Sequence, residues 1–170
     1  MAPNAAEPPS VALSITTRQI RELDLSPLAP LQAANVESLV AMAGQLELEL
    51  LWPRADDDPR ELSEVPEVRL WSLRADALNP WLPLLLERSR GTLTRHVAML
   101  LPHGFSRSEG IRFAPESLDL WITHRLFWLD GWSAEAGVPC RQGLAQMAAV
   151  LGFELDPLFW SAAAPPPAEG

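Results

Sequence analysis

The segment from Pro115 to about Glu135 constrains this chain more than any other. Pro115 and Glu116 open a helix, the proline fitting the first turn where its missing N–H costs nothing. Leu118, Leu120, Trp121, Ile122, Leu126, Phe127, Trp128, Leu129 and Trp132 follow, and only Asp119, Thr123, Asp130 and Ser133 form a polar stripe. A helix that is apolar around most of its circumference reads as a central one, covered on several sides.

At 170 residues and 48% hydrophobic content, the chain can bury one ordinary core but hardly two. Residues 1–10 and 161–170 are rich in Pro and Ala and read as flexible tails. They have too little apolar surface to offset their ordering entropy. One globular domain is therefore expected over residues 11–160.

Short period-two segments predict strands: Val11, Leu13 and Ile15; Leu46, Leu48 and Leu50 within 45–52; and Val68, Leu70 and Ser72. The Thr and Val content of 92–101 predicts a fourth. Helical stretches are expected from Arg18 to Leu23 with Thr17 as the cap, from Ser26-Pro27 to a stop at Gly44, over Trp81–Leu86, and from Gln142 to Leu151 with Gly152 as the stop. Asp58, Pro59 and Glu61 have the order of an N-cap, a proline at N1 and an N3 acceptor, which predicts one helical turn. Leu155 to Trp160 should fold back as an apolar clasp. The fold class is α+β: a small, mostly antiparallel sheet packed against a long central helix and shorter helices.

The net charge of −9 opposes general nucleic-acid binding, which needs cations to replace the counterions of phosphates. The charge is uneven, with six Arg against thirteen Asp and Glu in residues 1–85, but six Arg against three acids in 88–125. All three histidines, His96, His103 and His124, lie in that second stretch. A basic island on an acidic protein can steer an acidic partner; the alternative is a set of separately solvated charges. Cys140 is alone, so no internal disulfide forms and no oxidising compartment is required. No signal-peptide pattern, Arg-rich transit segment or apolar run of membrane-spanning length appears, and a cytoplasmic setting is expected.

Catalytic signatures are weak. Gly104-Phe105-Ser106-Arg107-Ser108 resembles a nucleophile elbow, but Ser108 stands where the strained turn needs Gly. The three histidines lack the spacing of a metal site; His124 reads as an interior histidine and His96 as a strand residue with its ring at the edge. No cofactor is expected. Trp121, Trp128 and Trp132 read as core, while Trp52 and Trp81, each beside proline, could serve as exposed anchors or be buried.

The phrases LDLSPL, DPRELSEVPEVRLW, PWLPLLL, AMLLPHGFSRSEGIRF and PESLDLWITHRLFWL, with an echo in LGFELDP, together resemble the chlororespiratory reduction six family. The resemblance runs from about Leu23 to Leu129. It implies a non-enzymatic assembly factor for the photosynthetic NAD(P)H dehydrogenase-like complex of cyanobacteria and chloroplasts. Members are expected to help mature or insert the ferredoxin-like iron–sulfur subunit without remaining in the finished complex. Lone Cys140 cannot supply the four thiolates of a four-iron cluster, so the partner would carry the ligands. Arg60, Glu61, Trp81, His103, Arg107 and Glu109 are then expected to converge beside Trp81 as the partner-binding patch. An internal ion-pair network among the same loops is the alternative for the patch. For the protein as a whole, the alternative is a small hydrolase or ligand-binding domain with a pocket floored by His103, Ser106 and Glu109.

Overall fold

The computed structural model describes residues 11–163 apart from Arg107 and Glu109. It opens with β1 (Val11–Ile15), α1 (Thr17–Arg21), a 3-10 turn (Ser26–Leu28), α2 (Ala29–Gln32), α3 (Val36–Ala41) and β2 (Leu46–Leu50). A second 3-10 turn (Leu62–Glu64), α4 (Pro66–Leu78), α5 (Leu82–Leu85) and α6 (Thr92–Leu100) follow. The hairpin β3 (His103–Ser106) and β4 (Gly110–Phe113) leads into α7 (Pro115–Glu135), α8 (Arg141–Val150) and α9 (Phe159–Ala163).

The α+β class holds, but the strands form two separate pairs. β1 and β2 run parallel, in register from Val11 opposite Leu46 to Ile15 opposite Leu50, whereas β3 and β4 are antiparallel. A parallel pair needs a long crossover, and α1 to α3 provide it. The second of the two helical stretches expected there, from Ser26 to Gly44, is broken because Asn35 caps a fresh start, accepting from Ser38 N at 2.8 Å.

Two segments read as strands are helices. In α4 the buried residues are Val68, Trp71, Ser72, Ala75 and Asp76, a spacing of three and four that overrides the apparent alternation of 68–73. In α6 the fully buried residues Leu93 and Val97 stand one turn apart, and Gly91 at φ +83° admits the entry turn. The turn expected at Asp58–Glu61 forms three residues later. Asp58 is taken by Arg60, whose backbone N–H and guanidinium both donate to it at 3.0 Å. Glu61 becomes the cap instead, its own N–H donating to Glu64 at 2.6 Å.

The central position expected for α7 is also corrected. Its buried residues, Leu118, Ile122, Leu126, Leu129, Asp130 and Ser133, make one stripe, so the face bearing two of the four expected polar residues is the inner one. Leu120 is 74% exposed and Trp128 39%, with Trp121 and Trp132 half-buried. The helix is apolar all round because an apolar face meets solvent.

One contiguous core links β1, β2 and α4 to α8. Trp71 lies at its centre, fully buried, with Nε1 donating to the Asp24 carbonyl at 2.8 Å. The C-terminal clasp is present: Phe153, Leu155, Phe159 and Trp160 pack on this core, and Phe159 stacks on Phe127 at 4.8 Å between centroids. Arg141 ties that end together, donating to Asp130 at 2.9 Å while its guanidinium lies 4.9 Å from the Trp160 ring centre.

Gly44 closes the crossover at φ +77°, and a Cβ there would stand 2.9 Å from Arg88 Nη1. That guanidinium staples α5 to α8 through the Leu84 carbonyl and Gln146, both at 3.0 Å. Gly44→Ala is therefore expected to cost more than about 1 kcal/mol, because it forces a left-handed backbone and displaces the staple. A fall of at least a few degrees in Tm would show it.

Candidate functional site

The Leu62–Glu64 turn and the β3–β4 hairpin meet at Ser63 and His103. His103 Nδ1 faces the Leu101 carbonyl at 3.0 Å, and a carbonyl can only accept, so Nδ1 carries the proton. In the neutral ring Nε2 is then the acceptor for the Ser63 hydroxyl, also at 3.0 Å. Ser63 is buried, and the Phe113 ring lies edge-on to His103. Both ring nitrogens are engaged, so His103 fixes the hairpin to the turn that Glu61 caps.

Of the six residues expected to converge, His103 bonds the Leu62–Glu64 turn through Ser63, and Glu61 caps that turn. Arg60 is nearby in sequence and exposed, occupied with Asp58, whose carboxyl its hydrogen bonds and charge lower to about 2. An ion pair this open to water contributes little to stability. Trp81 is half-buried against the core beyond the C-terminal end of α4. That helix has 13 residues and a length of roughly 20 Å at 1.5 Å per residue, so Trp81 stands at the far end from Ser63. Convergence on Trp81 is thus not what the fold provides. Arg107 and Glu109 lie outside the described residues. Ser106 Oγ stands 3.5 Å from Ser108 Oγ.

A polar centre of a different kind sits inside the molecule. Asp76 on α4 is 6% exposed and accepts from His96 Nε2 on α6 at 3.0 Å. Arg125 on α7 donates to both of its oxygens, at 3.3 and 2.8 Å, and also to the Pro80 carbonyl. Burial alone would raise the Asp76 carboxyl; the hydrogen bonds and charges of His96 and Arg125 outweigh it and hold it below its ordinary value. Asn79, also buried, extends the network, donating to the Ala75 carbonyl at 2.8 Å and accepting from Gln32 at 3.2 Å. His96 is therefore an interior helical residue and His124 an exposed one, the reverse of the expectation for each. Arg125 further lies 5.1 Å from the Trp121 ring centre, so one side chain links the buried acid to the outer face of α7.

Beside this network opens a cleft of about 340 Å³, lined by Leu48 and Leu50 of β2, Trp71 and Ser72 of α4, and Thr92 and His96 of α6, among others. Neither His103 nor Ser106 lines it. Cys140 is buried between α7 and α8, and that burial pushes its thiol up, so it is poorly suited to nucleophilic or ligand duty. Among the described residues, no group of three or more His, Cys, Asp and Glu could hold a metal ion. No described helix is long and apolar enough to cross a membrane.

No solved structure matches the chain. A family model described as Chlororespiratory reduction 6 matches residues 15–162, from the end of β1 into α9. With the match covering β2, the β3–β4 hairpin, the buried acid network and the C-terminal clasp alike, the chain belongs to the chlororespiratory reduction 6 family.

Proposed function

We propose that this protein is a non-enzymatic, cytoplasmic assembly factor that transiently binds the ferredoxin-like iron–sulfur subunit of the NAD(P)H dehydrogenase-like complex. Family membership over residues 15–162 carries this reading, being consistent with a role in the biogenesis of that complex. The surface supports a docking role. α4 turns Leu70, Leu73 and Leu78 to solvent, at 55, 37 and 59% exposure, and α7 does the same with Leu120 and Trp128. Exposed apolar side chains grouped on helix faces mark protein contacts more often than isolated ones do. The outward turn with Arg60 and Glu61, held to the hairpin through Ser63 and His103, supplies the polar rim such a contact uses.

The ligands for any cluster come from the client, since the only cysteine here is the buried Cys140. Affinity capture with this chain from cells arrested in complex assembly is expected to recover the iron–sulfur subunit. Arg107→Ala should weaken that capture by about tenfold, the loss of one charge-assisted contact, while circular dichroism and Tm stay unchanged. Undiminished capture, or a collapsed protein, would count against the docking surface at the hairpin.

A further inference from the structure

The β1–β2 pair is a sheet begun and left incomplete. Val11 N donates to the Gln45 carbonyl and Leu51 N to the Ile15 carbonyl, which fixes the ladder. In a parallel pair with that phase, Gln45, Glu47, Glu49 and Leu51 direct their backbone groups to β1, and Leu46, Leu48 and Leu50 direct theirs away from it. Leu46 is met on that outer side by Leu86, and its carbonyl accepts from Glu87 N at 2.6 Å. The chain then turns away: Glu87 accepts from Ser89 and Arg90 N–H groups and leads it to Gly91 and α6. Beyond Leu46, the N–H and C=O of Leu48 and the N–H of Leu50 have no partner among the described residues, and the cleft lies along them.

The wall opposite carries a second set of unused groups. Ser72, Thr92 and His96 line the cleft at 2, 9 and 5% exposure. No described residue bonds the Ser72 hydroxyl, the Thr92 hydroxyl or His96 Nδ1, whose ring is held from behind by the Nε2 bond to Asp76. Among the described residues only Arg88 Nε is both sealed from solvent and unpartnered, so these three groups are wetted through the cleft. Buried polar groups of this kind are normally satisfied, and here a row of them faces a free strand edge.

The geometry points to this cleft as the seat of an added strand: an extended segment of the partner polypeptide that pairs with Leu48 and Leu50. Such a segment presents N–H and C=O groups along both of its edges. One edge meets β2, and the other meets Ser72, Thr92 and His96. A small molecule would have no need of the first set; an extended backbone uses both. Charge selects the segment further. Glu47, Glu49, Arg90 and Arg95 all line the cleft; Arg90 reaches Glu47 at 3.7 Å, but among the described residues Arg95 finds only the Arg90 carbonyl at 3.2 Å. An acidic side chain on the segment would meet Arg95. This inference rests on the reading that the chain binds another polypeptide, and it adds a paired strand to the helix-face and hairpin contacts of that reading.

The test is amide hydrogen exchange on the full chain, alone and with overlapping synthetic peptides that span the ferredoxin-like subunit. Pairing is expected to slow exchange at Leu48 and Leu50 by about tenfold or more for one peptide, while Glu47 and Glu49, already bonded to β1, change little. In the Ser72→Ala and Thr92→Val variants the same peptide should bind about tenfold more weakly without loss of Tm, because neither hydroxyl has a partner in the free chain. Unchanged exchange at Leu48 and Leu50, with the intact subunit still captured by the chain, overturns the cleft and leaves the client reading standing. Absence of both capture and protection overturns both.

Discussion

Replacing Asp76 by Ala is expected to lower the unfolding free energy by about 3–5 kcal/mol, because it leaves the Arg125 cation and a His96 N–H buried without their acceptor. Arg125 and His96 approach Asp76 at 2.8 and 3.0 Å from two different helices, so the loss also unfastens α4 from α6 and α7. Urea denaturation followed by fluorescence would measure it. The same carboxylate sets an acid limit. Its pKa is lowered in the folded state, so its contribution is fully present above the unfolded value of about 3.9 and disappears as pH falls through the folded value. Asp76→Ala should therefore flatten the acid limb of the stability profile. A variant that keeps the wild-type limb would show that another carboxylate governs it.

Truncating Trp71 to Ala should cost a similar amount, about 3–5 kcal/mol, as expected when a wholly enclosed aromatic is removed and its cavity relaxes only in part. Its indole is wholly buried in the core, and its N–H holds the Asp24 carbonyl at 2.8 Å. The neighbouring Leu70→Ala is the control: that side chain is exposed and its loss should stay within about 0.5 kcal/mol. Comparable losses at the two positions would mean that the 66–78 segment is not the helix described.

That contrast also explains which parts of the fold could be read from the sequence. Strands with one polar face, as in Leu46–Leu50 with Glu47 and Glu49 between, were legible because alternation and burial agree. In 66–78, alternation of Val68, Leu70 and Ser72 competed with a spacing of three and four through Trp71, Ala75 and Asp76. Leu70 and Leu73 are apolar but outward, which concealed the helical stripe. The same effect made α7 look central: apolar residues on its outer face were counted as core. Exposed apolar side chains thus caused both errors, and they are the features a docking surface needs.

The polar centre was illegible for another reason. Asp76, His96 and Arg125 are separated by 20 and 29 residues and share no motif. Only once 66–78 is a helix does Asp76 fall on the buried stripe, where an acid requires partners. The Ser63–His103 contact across forty residues was equally beyond any local pattern. Sequence reasoning expected the His103 turn and Glu61 in one patch because interrupted apolar segments with polar turns mark loops on one scaffold. It misplaced Trp81, which the length of α4 carries to the far end.

The central claim is that this chain engages the iron–sulfur subunit on the way to the complex and leaves before the complex is complete. Quantitative mass spectrometry on the purified mature complex, set beside material from assembly-arrested cells, tests it most directly. The account predicts the chain together with the iron–sulfur subunit in arrested material and far below stoichiometric amounts in the mature complex. One copy per mature complex, retained through purification, would contradict it.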